Sequence, residues 1–386
     1  MTRSEPTARA GRRGGPGRGA LVALALAGLA CERAPEPAAS WPAGAVLVGR
    51  SAALSDLLTR LSQLEGTPLG REARAWSAAL PGCEWIEAHA EQASLAALRA
   101  GLRCADPAGP LSAVHRDRGE RDLVFGWPLG EGSALGSAAV SAAGDLDLRV
   151  ALPGDAFRGP RALLRPGDAA PGPPVLGGGD ALLHARLRPA DGIDLASLVE
   201  SGGQGETLFA LKSRLFGAAI LDGTWELALY LPGEGESLPR AALALGTRER
   251  GAAVAAATTF LDEIEARWPV HRAPFALGAA SGACLPELRM LPGLSPCWVA
   301  TERALVVGWN AASLRKALDG SPPGLPDAGG LVAEFGRLPL ADARMAAPAL
   351  PLMGARSWPW SRLVAEPVRA GSSVELHMAL AGASGA

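Results

Sequence analysis

DLRVALPGDAFRGPRA at Asp147–Ala162 and ELALYLPGEGESLPRA at Glu226–Ala241 are two versions of one pattern, set 79 residues apart. Each has an acid, a leucine, a run with the alternation of a strand, Leu-Pro-Gly, a spacer and Pro-Arg-Ala. A Pro-Gly pair between two apolar runs marks a turn, so each copy reads as strand, turn and returning strand. LVFGW at Leu123–Trp127 and LVVGW at Leu305–Trp309 form a second echo, and each follows a short charged turn. These are hairpin signals, and hairpins join antiparallel strands.

A third recurring unit pairs a short strand with an amphipathic helix. Ala45–Gly49 precedes Ser51–Leu64 (SAALSDLLTRLSQL), where Leu54, Leu57, Leu58, Leu61 and Leu64 fall on one stripe of a 3.6-residue helix. Ala181–Leu187 precedes Asp194–Val199 in the same way, and Leu331–Phe335 opens a weaker version. Thr258–Trp268 is a further helix, and Ser373–Leu380 alternates like Asp145–Leu152. Adjacent hairpins with helices between them predict an α+β fold, with antiparallel sheets built from repeated hairpins, covered by amphipathic helices, in two related halves. Arg165–Gly179 (RPGDAAPGPPVLGGG) is the best linker, and Asp319–Gly330 the next. The expected organisation is a first module over 44–164, a linker over 165–180 and a larger second region over 181–386.

The N-terminus carries an address. Met1–Gly19 holds five arginines against one acid, and Ala20–Ala30 (ALVALALAGLA) is an uncharged apolar run. That order is the secretory signal pattern, so residues 1–30 are expected to be a signal peptide. Eleven apolar residues fall short of the roughly 20 needed to span a bilayer as a helix. Gly28-Leu29-Ala30-Cys31 resembles the bacterial lipobox, in which the cysteine takes a diacylglyceryl thioether. Cleavage after Ala30 without lipid is the alternative, giving a secreted protein. Cysteine parity favours the lipid. Five cysteines are present, and assigning Cys31 to lipid leaves Cys83, Cys104, Cys284 and Cys297, an even set for an oxidising compartment. Nearest neighbours in sequence would pair Cys83 with Cys104 and Cys284 with Cys297. Residues 31–43 read as a tether.

Without residues 1–30 the chain loses five of 37 basic and one of 39 acidic residues, leaving a net charge of −6. That argues against nucleic acid, whose phosphates demand clustered cations. The expected partners are a membrane, met through the N-terminal lipid, and a lipid or an envelope protein.

Candidate chemistry is sparse. Ser313-Leu314-Arg315-Lys316 matches S-x-x-K, the nucleophile motif of penicillin-recognising acyl enzymes, which also need S-x-N and K-T-G elements. The other lysine, Lys212, lies in neither. Asn310 and Gly320 bracket a short helix on which Ser313 and Lys316 would form the solvated face. The histidines, His89, His115, His184, His271 and His377, show no metal-ligand spacing. His89 with Glu87 and Glu91 reads as the polar face of a helix, and His115 as part of a solvated turn. Gly177–Asp180 (GGGD) precedes a strand where a phosphate loop should follow one. No cofactor is expected.

The arrangement resembles a group of uncharacterised exported bacterial proteins that share a domain of unknown function. The matching residues are Pro42-Ala43-Gly44 with Ala45–Gly49, and Thr301–Gly320 (TERALVVGWNAASLRKALDG). The resemblance implies an envelope location and no established activity. The expected function is a non-enzymatic cell-envelope lipoprotein that binds a ligand or scaffolds a partner. A periplasmic serine hydrolase built on Ser313 and Lys316 is the alternative, and a two-lobed solute receptor lacks its parallel-strand rhythm here. Cells expressing the chain should incorporate radiolabelled palmitate, and Cys31→Ala should abolish the label; label that persists in the variant refutes the anchor.

Overall fold

The computed structural model describes residues 44–64, 68–112, 121–153, 166–188, 220–287, 292–334 and 360–382, apart from short gaps within these spans. The signal segment, Cys31 and the tether lie outside the described residues. In chain order the described elements are β1 (Ala45–Arg50), α1 (Ser51–Ser62), α2 (Pro68–Ala79), β2 (Trp85–Ala90), α3 (Leu95–Ala100), β3 (Arg103–Cys104), β4 (Leu123–Leu129), β5 (Gly132–Val140), β6 (Leu146–Leu152) and β7 (Leu183–Leu187). They continue with β8 (Leu221–Tyr230), β9 (Arg240–Thr247), α4 (Arg250–Arg267), β10 (Ala273–Leu277), β11 (Ala280–Cys284), β12 (Cys297–Ala300), β13 (Ala304–Gly308), α5 (Ala311–Asp319), β14 (Gly330–Glu334), β15 (Trp360–Ala370) and β16 (Ser373–Gly382).

All sixteen strands belong to one sheet, ordered β10-β11-β12-β13-β9-β8-β7-β14-β15-β16-β6-β5-β4-β1-β2-β3. Antiparallel strands with helices against them were expected and are present. The expectation of separate sheets is corrected, because β15 and β16 sit between β14 and β6 and join what would otherwise be two sheets. β16 does more than share the alternation of β6. It pairs with it from Val374↔Leu152 to Leu380↔Leu146.

Helices α1 to α3 cover one face of the β1–β6 region. The leucine stripe of α1 lands as its spacing predicts, with Leu57 and Leu58 each 3% exposed against Leu47, Leu123 and Leu148. Burying each such leucine contributes about 2 kcal/mol. Ser94 caps α3 by accepting from the Ala97 N–H at 3.1 Å. β1 is buried along nearly its whole length, because Val46 and Val48 meet Leu111 and Val124 on the other face. A strand covered on both sides reads as continuously apolar, as AVLVG does. Gly49 is required where β1 runs beside β4, since a Cβ there would strike the Asp122 carbonyl oxygen.

In the other part of the sheet the covering alternates. On the face that carries Ala228, Tyr230, Ala244 and Val306 sit α5 and the segment through Leu176. On the opposite face α4 packs over Leu305, Ala300 and Trp298. Helix α4 begins at Arg250, eight residues before the stretch that marks it in the sequence, and this added part is alanine-rich.

Several sequence expectations meet definite outcomes. The Leu-Pro-Gly copy at Glu226–Ala241 is the β8–β9 hairpin, whereas the return of the first copy lies outside the described residues. LVVGW forms β13, which pairs with β12 across Thr301–Arg303; LVFGW forms β4, whose partners are β1 and β5. Asp194–Val199, the helix after Leu331–Phe335, and His115 lie outside the described residues. His89 is in β2 and not in a helix, a correction that follows from the Trp85–Ala90 alternation and its pairing with β1. In the β8–β9 turn the hydrogen bond from Arg240 holds the Glu236 carboxyl below its ordinary value, against burial, with help from the Gly233 N–H. A depressed carboxyl contributes stability above its unfolded pKa and loses it as pH falls through the folded value.

Both disulfides stand near the ends of the sheet. Cys83–Cys104 ties the residues before β2 to edge strand β3, and Cys284–Cys297 links β11 to β12, one strand in from edge strand β10. Removing the second with Cys284→Ala and Cys297→Ala opens a 13-residue loop and should cost about 3 kcal/mol in urea unfolding. An unchanged midpoint would show that the sheet end holds without the staple.

Candidate functional site

Ser313 and Lys316 lie on α5 as expected, but their setting differs from a solvated face. Asn310 caps the helix by accepting from the Ser313 N–H at 2.8 Å. The Ser313 hydroxyl donates to the same Asn310 oxygen at 2.9 Å and accepts from the Ala241 N–H at 3.3 Å. Ser313 is fully buried because β9 runs directly beneath this turn. A nucleophile must meet its substrate, and this hydroxyl meets only protein. The Lys316 ammonium lies over the Tyr230 ring at 5.9 Å.

Three polar side chains that the sequence did not mark are buried together on β7 and β8. Glu226 is 2% exposed, His184 1% and Arg186 2%. Glu226 Oε1 lies 2.8 Å from His184 Nε2, which donates because an ionised carboxylate can only accept. The same carboxylate accepts the Val175 N–H at 2.8 Å and the Leu176 N–H at 3.0 Å. Arg186, directly opposite Glu226 in the register, donates to the carbonyls of Pro171 and Gly172. Tyr230 donates to the Gly177 carbonyl, and the Gly177 N–H donates to Ala317 at 2.6 Å. Part of the stretch expected as linker is therefore a strap bolted across the sheet, with Leu176 1% exposed. Glycine at 177 allows the strap to pass Gly320 at a distance no Cβ would permit. These groups satisfy backbone atoms, so their chemistry is structural.

A second polar group lies on the open face opposite α1–α3. His377 Nε2 stands 3.4 Å from Glu375 Oε2, and Arg149 and Glu366 face His377 from the flanking strands. Arg121 and Arg149 reach Asp147 at 2.7 and 3.6 Å. Among the described residues no three His, Cys, Asp or Glu side chains gather as a metal site requires. No helix among them is long and apolar enough to cross a membrane.

The most distinctive concave feature is apolar. Between α4 and the sheet lies a cavity of about 220 Å³, walled by Ala253, Ala256 and Ala257 of the helix and by Leu245, Leu305 and Trp298 of the strands. It exists because the helix presents methyl groups where leucines would fill the space. The helix is held off the sheet near both ends. Glu249 accepts from the Gly251 and Ala252 N–H groups, and Arg250 pairs with Glu302 of the β12–β13 turn at 2.6 Å. Toward the far end Arg272 pairs with Asp262 at 2.6 Å, and its N–H donates to Glu265. A smaller void of about 60 Å³ lies under α1 and α2.

Comparison with protein-family models, with curated proteins and with solved structures finds no match to this chain.

Sequence reasoning missed the cavity and the strap for different reasons. The alanine run Ala252–Ala257 is the one visible trace of the cavity, since small residues on a helix beside apolar strands leave room. The strap left no trace, because single polar residues in an alternating strand look solvent-facing. Glu226→Gln should leave the amides of Val175 and Leu176 competing with a side-chain NH2, at a cost of about 2 kcal/mol. Hydrogen exchange at those two amides should accelerate in the variant, and unchanged protection would show that the carboxylate does not hold the strap.

Proposed function

We propose that this chain is a non-enzymatic lipoprotein of the bacterial cell envelope, lipidated at Cys31, that holds a small apolar molecule in the cavity under α4. The cavity itself carries the reading. An apolar void of about 150 Å³ is known to stay dry and to bind benzene, so one of about 220 Å³ has room for a ligand. An empty void of that size costs stability through lost contacts, which an occupant restores.

The address rests on residues 1–30 and on cysteine parity. With Cys83 bonded to Cys104 and Cys284 to Cys297, Cys31 is the one cysteine left over, which supports its assignment to lipid. The non-enzymatic part is supported by the burial of Ser313 and by polar groups that serve backbone atoms. In this reading the protein belongs with the exported proteins it resembles and is built of two related halves, each a set of hairpins under its own helices. Docking of an envelope protein is the second reading, favoured by a row of outward leucines on β7 to β9. Leu227 is 40% exposed there, with Leu183, Leu229 and Leu243 half-buried beside it.

Native mass spectrometry of the purified full-length protein should show a non-covalent adduct that organic extraction removes. Ala257→Leu fills the cavity and should eliminate the adduct while leaving the Tm within a few degrees, since the added methylenes enter free space. An adduct retained in that variant would place the ligand elsewhere.

A further inference from the structure

Inside the apolar cavity one polar atom has no partner. The Trp298 indole Nε1–H is buried and has no acceptor among the described residues, and Trp298 lines the cavity wall. A buried N–H without an acceptor costs about 1–3 kcal/mol, so its persistence calls for an explanation. At the other end of the same sheet face Thr247, cross-strand from Leu221, buries a hydroxyl that is also unpartnered. No charged side chain lines the space.

We propose that the ligand is a neutral single-chain amphiphile, an alcohol or carbonyl compound, whose oxygen accepts the Trp298 indole N–H while its chain runs under α4. The inference rests on the apolar-ligand reading above and adds the head group and its donor. Three observations support it. The register sets Leu245 beside Leu305 and Val307 beside Trp298, and places Leu221 beside Thr247. Leu221, Leu245 and Trp298 therefore line the cavity over four residues of strand rise, about 13 Å at ~3.4 Å per residue. A volume of about 220 Å³ holds about seven chain carbons, if each takes roughly the 30 Å³ of a liquid water. An ionised carboxylate is excluded by the lining, because an unpaired charge in an apolar space loses far more hydration than the site returns. A neutral oxygen loses little and satisfies the one donor present.

Calorimetric titration of the full protein with 1-octanol, octanoate at pH 8 and ethylbenzene tests this. Octanol should bind at least tenfold tighter than octanoate. Trp298→Phe should weaken octanol about fivefold and leave ethylbenzene unchanged, and the latter also shows that the variant retains its cavity. Thr247→Val, an isosteric change at the other end, should leave octanol unchanged. In the unaltered protein the Trp298 indole proton should move downfield in NMR with octanol and not with ethylbenzene. Equal octanol binding by wild type and Trp298→Phe, or loss in Thr247→Val alone, overturns the proposed head-group contact while the apolar cavity reading survives. Failure of all three probes to bind removes both.

Discussion

The pairing of β16 with β6 is the interaction on which the architecture depends. Seven residue pairs, from Val374 with Leu152 to Leu380 with Leu146, close a loop of more than 200 residues. Without them β14 and β6 would each be an exposed edge, and two sheets would stand where one does. The inserted β15–β16 hairpin is tied further by Trp360, which is 2% exposed and whose indole N–H donates to the Gly144 carbonyl at 3.2 Å. Closing a long loop costs entropy that grows only slowly with length, so a ladder of this extent can offset it. Such non-local pairing forms late in folding, because the loss of chain freedom precedes the contacts that reward it.

A sheet of sixteen strands has only two edges, and both lie close to a disulfide. Exposed edges invite pairing with other chains, and proteins commonly blunt them with short or irregular strands. Here β3 has two residues and is held by Cys83–Cys104, while β10 begins with Ala273-Pro274 and lies beside the strand stapled by Cys284–Cys297. Proline cannot donate to a ladder, which limits what β10 can offer a neighbour. Covalent ties therefore sit where hydrogen bonding is incomplete.

Coverage of the two faces explains the remaining features. Helices α1 to α3 and α4 share one face, with a strip of outward leucines between them, while α5 and the strap cover the other face of the β7–β9 region. The strap has few apolar contacts of its own, and it is held by Glu226, Arg186 and Tyr230 acting on its backbone. Helix α4 has the reverse character. Ion pairs fix it near its ends and its middle is alanine, so it spans the sheet without filling the space below.

The sequence by itself determined the local units: the β1–α1 pair from leucine spacing, the β8–β9 and β12–β13 hairpins from their turns, the cysteine partners from proximity, and the Asn310 cap of α5. Each of these depends on contacts within a few residues, or on the geometry of one element, and so is written in short stretches. Only the tertiary structure decided that the sheet is single, that Arg165–Gly179 is partly a strap, and that Ser313 is buried. It also inverted the reading of LHARL in β7 and of ELALY in β8. Their polar residues face the strap and α5, and their leucines face outward or toward α4. Alternation shows that a strand has two faces, but which face is buried depends on what packs there. In this protein that is settled by segments far away in the chain, which supply the backbone amides and carbonyls that buried Glu226 and Arg186 require.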